Sequence, residues 1–147
     1  PLATMIMAPL AGRLVERIHA GILGGIGMTI FATGLFLLAI LPDNPTNTDI
    51  IWRLFICGAG FGLFQTPNNS TIISSAPSNR SGGASGMLGT ARLLGQTLGA
   101  TLVAMIFNLV PNNSTQACLY LATGFAVVAA IISSLRISQP RPLKGFK

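Results

Sequence analysis

The sequence predicts an all-α polytopic membrane protein, and three observations carry that expectation. Only 12 of its 147 residues are charged, half are apolar, and mean hydropathy is +0.66. A soluble domain coats its core with about 25% charged residues, and this chain has too few for such a coat. Apolar residues also come in runs near the length of about 20 that crosses roughly 30 Å of hydrocarbon at about 1.5 Å per helical residue. Basic residues, finally, occupy alternate connecting segments. Backbone polar groups in lipid must be satisfied internally, so spans are helices or closed barrels. Barrel strands would show about ten residues of strict alternation, and these runs do not alternate.

Five spans follow in order. The first, about 1–11, opens at Pro1 inside an apolar stretch with no basic leader. No signal peptide is visible, and the chain reads as a piece cut within a membrane segment of something longer. The second, 20–41, is uncharged. The third, 50–76, holds Arg53 near its start and Pro67 within it; the fourth, 83–110, holds Arg92. The fifth, 117–135, is uncharged, and 136–147 form a basic tail. Cys57 and Cys118 lie in apolar runs and are expected to be free thiols that pack as small hydrophobes.

The connecting segments sort by charge. Arg13, Glu16, Arg17 and His19 fall in the first; Asp43 and Asp49 in the second, which has no base; Arg80 in the third; none in the fourth. The tail carries Arg136, Arg141, Lys144 and Lys147. By the positive-inside rule the first and third loops and the C-terminus face the cytoplasm. The same distribution removes nucleic acid as a partner, because the cations are split among three membrane edges rather than gathered in one patch.

Polarity separates the spans. The second and fifth are nearly free of polar groups beyond Thr, Ser and Gly, as suits helices that face lipid or pack on the outside. The third and fourth hold Gln65, Thr66, Asn68, Asn69, Ser70 and Thr71, then Ser85, Thr90, Arg92, Gln96, Thr97 and Thr101. Amides and a guanidinium at membrane depth face a cavity or the bundle interior, so these two helices are expected to line a polar pathway. Gly21-xxx-Gly25, Gly58-xxx-Gly62 and Gly95-xxx-Gly99 are small-residue spacings that permit close helix packing. Catalytic constellations, metal-ligand spacings and Walker-type loops are not found, so neither an enzyme nor a cofactor is expected. The three acids all lie in or beside loops. A proton-carrying carboxylate, if the protein uses one, is therefore expected outside this stretch of chain.

Two motifs resemble a known family. Gly12-Arg13-Leu14-Val15-Glu16-Arg17 resembles the cytoplasmic loop motif of the major facilitator superfamily, with Glu16 where the family has Asp. The longer run from Gly58 contains Pro67-Asn68-Asn69, Pro77, Arg80-Ser81-Gly82-Gly83-Ala84-Ser85-Gly86 and Thr90-Ala91-Arg92 through Gly95 and Gly99. It resembles the last part of the 14-helix drug:proton antiporters, of the methyl viologen resistance type. The resemblance implies a major facilitator-type C-terminal helix bundle, its spans being helices 10 to 14, with the preceding helices of the same transporter missing. It implies a secondary active transporter of the inner membrane that exports cationic amphiphilic drugs in exchange for protons by alternating access. It further implies that the second and fifth spans are peripheral and the third and fourth line the cavity. Gly12, Arg13, Glu16 and Arg17 would bias the two conformations through charge pairing. A non-drug solute transporter of the same superfamily and a non-transporting membrane subunit are the competing readings; a mere anchor has no need of amides in its helices.

Within the pathway, Phe61, Gln65, Asn68 and Asn69 share a helix face by their spacing, and Phe64 lies beside them. Ring faces next to amides suit a cationic amphiphile. Alternatively the amides only knit helices together around Pro67, which frees the Leu63 carbonyl. Gln96 and Arg92 extend the pathway on the fourth span. A cationic drug does not bind directly beside a guanidinium, so Arg92 is placed on the pathway without being a drug ligand. It can snorkel to the cytoplasmic edge, staple helix-end carbonyls, or face a carboxylate from the missing half. The loop charges also set a topology test. Asn44→Cys should react with an impermeant thiol reagent in intact cells once the outer barrier is opened, and labelling that required lysis would overturn the orientation.

Overall fold

Five helices carry the chain in the computed structural model, which describes residues 2–15, 18–42 and 44–135. They are α1 (Leu2–Val15), α2 (Ala20–Ala39), α3 (Asn47–Ser74), α4 (Ser81–Leu109) and α5 (Ser114–Leu135), with a 3-10 turn at Ser78–Arg80 before α4. There is no strand among the described residues. Each helix overlaps one expected span. By length and composition α2, α4 and α5 are apolar enough to cross a membrane; α1 spans 14 residues, and α3 carries the amides.

Helix ends follow local chemistry more than hydropathy. α3 begins at Asn47 rather than near 50 because Thr46 and Asp49 form a capping box. The Asp49 N–H donates to Thr46 Oγ1 at 3.3 Å, and the Thr46 N–H donates to Asp49 Oδ2 at 3.1 Å. The Thr46 hydroxyl also donates to Asp49 Oδ2, and this bond first, then the Thr46 N–H, holds the Asp49 carboxyl below its ordinary range. The charged cap is therefore in place above the usual carboxylate pKa and is lost only as pH falls through the lowered one. His19 caps α2 through Nδ1, which accepts from the Gly21 N–H at 3.3 Å. α1 runs past Ala11 to Val15, so Gly12 and Arg13 of the loop motif belong to its last turns. Glu16, Arg17, Asp43 and the tail 136–147 lie outside the described residues.

Packing corrects one expectation. α2 does not sit on the outside of this chain: it lies between α3 and α5 and is the most buried helix, with Leu23, Met28, Ala32, Leu38 and Ala39 in the interior. Its lack of polar groups reflects burial against two neighbours, and its glycines make that burial possible. A Cβ on Gly27 would stand 2.7 Å from the Phe64 nitrogen and 2.8 Å from the Gly60 carbonyl oxygen. One on Gly34 would stand 2.6 Å from Cys57 Sγ. The α2 and α3 backbones thus touch directly. One core cluster joins α2 to α5 through Met28, Ala32, Ala126 and Ala130, with Phe31 and Phe64 packed against it. A second joins α1, α2 and α3 through Ala11, Leu23 and Leu63.

Of the glycine pairs singled out by spacing, Gly58 and Gly62 serve α1. Thr4 Oγ1 donates to the Gly58 carbonyl at 3.2 Å, and the Gly62 face meets Thr4 and Met7. Gly25 of the first pair faces Ser134 of α5. A Cβ on Gly95 or Gly99 would meet nothing within 4 Å, and no residue of α4 is buried among the described residues. Close approach at Gly27 sets the fold's tolerance. Gly27→Ala should lower the melting temperature of the purified full-length protein, by overpacking of about 1–3 kcal/mol. Gly124→Ala, whose added methyl meets nothing within 4 Å, should leave it unchanged or raised; scanning fluorimetry in detergent compares the two.

Candidate functional site

α3 continues as a helix through Pro67, whose side chain is fully buried. A proline inside a helix removes one backbone donor, and the hydroxyls on either side donate to nearby carbonyls. Thr66 Oγ1 donates to Gly62 O at 3.3 Å, and Thr71 Oγ1 donates to Pro67 O at 2.8 Å. The helix stays regular, and the residues around the proline keep their face. On that face a cavity of about 250 Å³ opens between α3 and α4, lined by Phe61, Phe64, Gln65, Asn68, Asn69, Leu88, Ala91 and Arg92. Six of the seven residues placed on the pathway from sequence therefore meet in one place. Gln96, the seventh, does not line this cavity. It lies one turn beyond Arg92, and α3 and α4 touch too sparingly to enclose that turn.

The aromatic wall is held from behind. Phe61 tilts against Phe31 of α2 with ring centroids 5.7 Å apart, and Phe64 packs on the α2–α5 core. Two amides of the polar wall are left unspent. Gln65 and Asn69 carry no hydrogen bond among the described residues, so their amides are available to the cavity; Asn68 has an interaction of its own. This contrasts with Thr66, Thr71, Thr90 and Thr97 on the same helices, whose hydroxyls donate to carbonyls of their own chain and are silenced.

Arg92 lies eleven residues into α4, about 16 Å along its axis. α4 starts two residues before the expected 83, so Arg92 is not brought nearer the helix end. It has no hydrogen-bond or ion-pair partner among the described residues and so does not staple helix-end carbonyls there. Asp49, the one carboxylate among those residues, is engaged in the α3 cap. Arg53 differs: its guanidinium lies 5.0 Å from the Trp52 ring centroid, and its Nε and one Nη are buried with no hydrogen-bond partner among the described residues.

Leu88 and Ala91 were not among the residues expected at the site. With Arg92 they form an i, i+3, i+4 row on α4, and that spacing is the signal that finds them. A larger cavity, about 640 Å³, lies between α2 and α5 and is lined by Thr29, Thr33, Phe36, Thr123, Val127 and Ser134 among others. Every hydroxyl named there donates to a carbonyl of its own helix. Its lining is apolar in effect and gathers no convergent polar groups, so the smaller cavity is the candidate site. Among the described residues no group of His, Cys, Asp or Glu could hold a metal ion.

A bundle of apolar helices enclosing a cleft of rings, amides and a guanidinium is the architecture of a membrane transporter. The chain belongs to the Major Facilitator Superfamily, whose family model matches residues 1–147, and it is thus part of a multi-pass membrane protein. It is 62% identical over 141 residues to the Uncharacterized transporter YebQ of Escherichia coli (strain K12), covering 96% of this chain and 31% of that protein. It is 31% identical over 104 residues to the Multidrug resistance protein Stp of Mycobacterium tuberculosis, covering 71% of this chain and 19% of that one. Over 107 residues it is 30% identical to the Riboflavin transporter RibZ of Clostridioides difficile, covering 73% and 24%. The chain thus spans less than a third of the length of these relatives. No solved structure matches it.

The site makes a mutational expectation. Alanine at Gln65 or Asn69 of the full-length protein should weaken transport of its solute several-fold at equal protein level, because each removes an unspent hydrogen-bonding group. Unchanged transport in both variants would reduce these amides to helix packing.

Proposed function

We propose that the full transporter is a drug:proton antiporter of the inner membrane, exporting cationic amphiphiles by alternating access, with its C-terminus in the cytoplasm. The observation that carries this reading is the cavity between α3 and α4, where Phe61 and Phe64 stand beside the amides of Gln65, Asn68 and Asn69. Ring faces attract an organic cation through their quadrupole, and amide oxygens accept hydrogen bonds from it. A mostly apolar cleft with a few convergent polar groups is the usual form of a small-molecule site. The name of Stp points the same way. In this reading α3 and α4 line the pathway, the Gly12 to Arg17 motif biases the two conformations, and the proton carrier lies elsewhere in the transporter.

The likeness to RibZ supports a second reading, a transporter of a non-drug aromatic solute. The two separate in one experiment. Inside-out vesicles from cells making the full-length protein should take up ethidium when a proton gradient is imposed and release it when a protonophore collapses the gradient. Gradient-driven uptake of riboflavin but not ethidium would favour the second reading. Uptake of neither above vesicles lacking the protein would overturn export.

A further inference from the structure

The cavity between α3 and α4 contains one group that a simple cation does not suit. Arg92 lines the same wall-to-wall space of about 250 Å³ as Phe61, Phe64, Gln65 and Asn69. No carboxylate answers it among the described residues, since Asp49 is engaged with Thr46 at the start of α3. Like charges repel, so a monocation drawn to the rings is at the same time opposed by the guanidinium. A planar guanidinium presents parallel N–H donors matched to a carboxylate and forms its strongest contacts as a two-bond fork. Leu88 and Ala91, beside Arg92 on α4, are apolar and offer no competing acceptor.

Resting on the reading above that this cavity binds amphiphilic cations, we propose that it selects zwitterions: aromatic cations that also carry a carboxylate, which Arg92 receives. The ring system lies against Phe61 and Phe64, the cationic end meets the amide oxygens of Gln65 and Asn69, and the carboxylate takes the Arg92 fork. Arg92 is then a specificity-determining residue that touches the ligand, and the repulsion that opposes a plain cation becomes the attraction that holds a zwitterion.

Rhodamine B, a cationic xanthylium dye with a free carboxylate, and its methyl ester differ at this one group. Fluorescence anisotropy with the purified full-length transporter gives the ratio of their affinities, a quantity from which any general loss of folded protein cancels. The wild type should favour the free acid. Arg92→Gln should lower the acid-to-ester ratio by about tenfold or more, the loss expected of a charged hydrogen-bonded pair. Arg92→Lys, which keeps the charge and loses the fork, should fall between. A ratio unchanged by Arg92→Gln, or a wild type that does not favour the acid, overturns the proposal; the first result is the one expected if a carboxylate from another part of the transporter already pairs with Arg92. Proton-driven uptake into inside-out vesicles is read separately. Binding selectivity without uptake would leave the zwitterion site standing and remove the export reading.

Discussion

The contact between Gly27 of α2 and Gly60 of α3, where no side chain separates the two backbones, is the constraint on which the other placements depend. Lipid tails are as apolar as leucine, so helices in a bilayer gain nothing by hiding apolar surface from water, and association rests on van der Waals packing at short range. Small residues supply that range. With the backbones in contact at Gly27 and again at Gly34 against Cys57, the rotation of α3 about its axis is fixed over two turns of α2. Phe31 then reaches Phe61, and Phe64 enters the core shared with α5. The amides at 65 and 69 share the same helix face as Phe61, and that face looks toward α4.

The polar groups of the bundle divide into two kinds by what their own helix can do for them. Thr29, Thr33, Thr90, Thr97, Thr101 and Thr123 each donate to the carbonyl four residues earlier, at 2.7 to 3.1 Å. A hydroxyl bonded in this way is spent, and the helix around it behaves as apolar. Gln65, Asn69 and Arg92 have longer side chains with several donors, and no carbonyl of the described residues takes them up. Leaving such groups unmet in hydrocarbon is costly, so their gathering on one cavity is the arrangement that lets water or a ligand meet them. This is why the smaller, more polar cleft, and not the larger space between α2 and α5, is the candidate site.

Much of this was legible from sequence, and the failures have physical causes. The apolar runs located five helices, because span length is set by the bilayer and not by tertiary detail. Their ends were less legible. Asp49 reads as a loop acid on hydropathy, yet it starts α3 from inside the helix, since a capping box overrides the cost of its charge. The face holding Phe61, Gln65, Asn68 and Asn69 followed from helical spacing alone and is the face that lines the cavity. Gln96, although on the same row as Arg92, was out of reach of that logic, because spacing gives a face and does not give the length over which two helices stay together. Spacing of glycines was a partial guide. The pairs four residues apart include Gly25 and Gly62, which do approach neighbouring helices, whereas the tightest contacts use Gly27, Gly34 and Gly60, whose partners lie on different helices. Low polarity in α2 was ambiguous in principle: a helix buried between two neighbours and one facing lipid have the same composition.

The two walls of the cavity are anchored unequally, and this bears on how such a site can open. α3 is clamped by α2 along its glycines and by α1 at Gly58 and Gly62. α4 touches α3 and α5 only sparingly, and none of its 29 residues is buried within this chain. Rigid packing transmits displacement, whereas an element with few buried contacts shifts at small cost. The aromatic and amide wall is thus fixed relative to the α2–α5 core, while the wall bearing Arg92 is held within this chain by little besides the cavity contacts themselves. Alternating access needs two packings of similar energy around one site. In the proposed reading, the glycine contacts fix the ring and amide wall within this chain, so a change in the distance from guanidinium to ring falls to the α4 wall and to whatever the rest of the transporter packs against it.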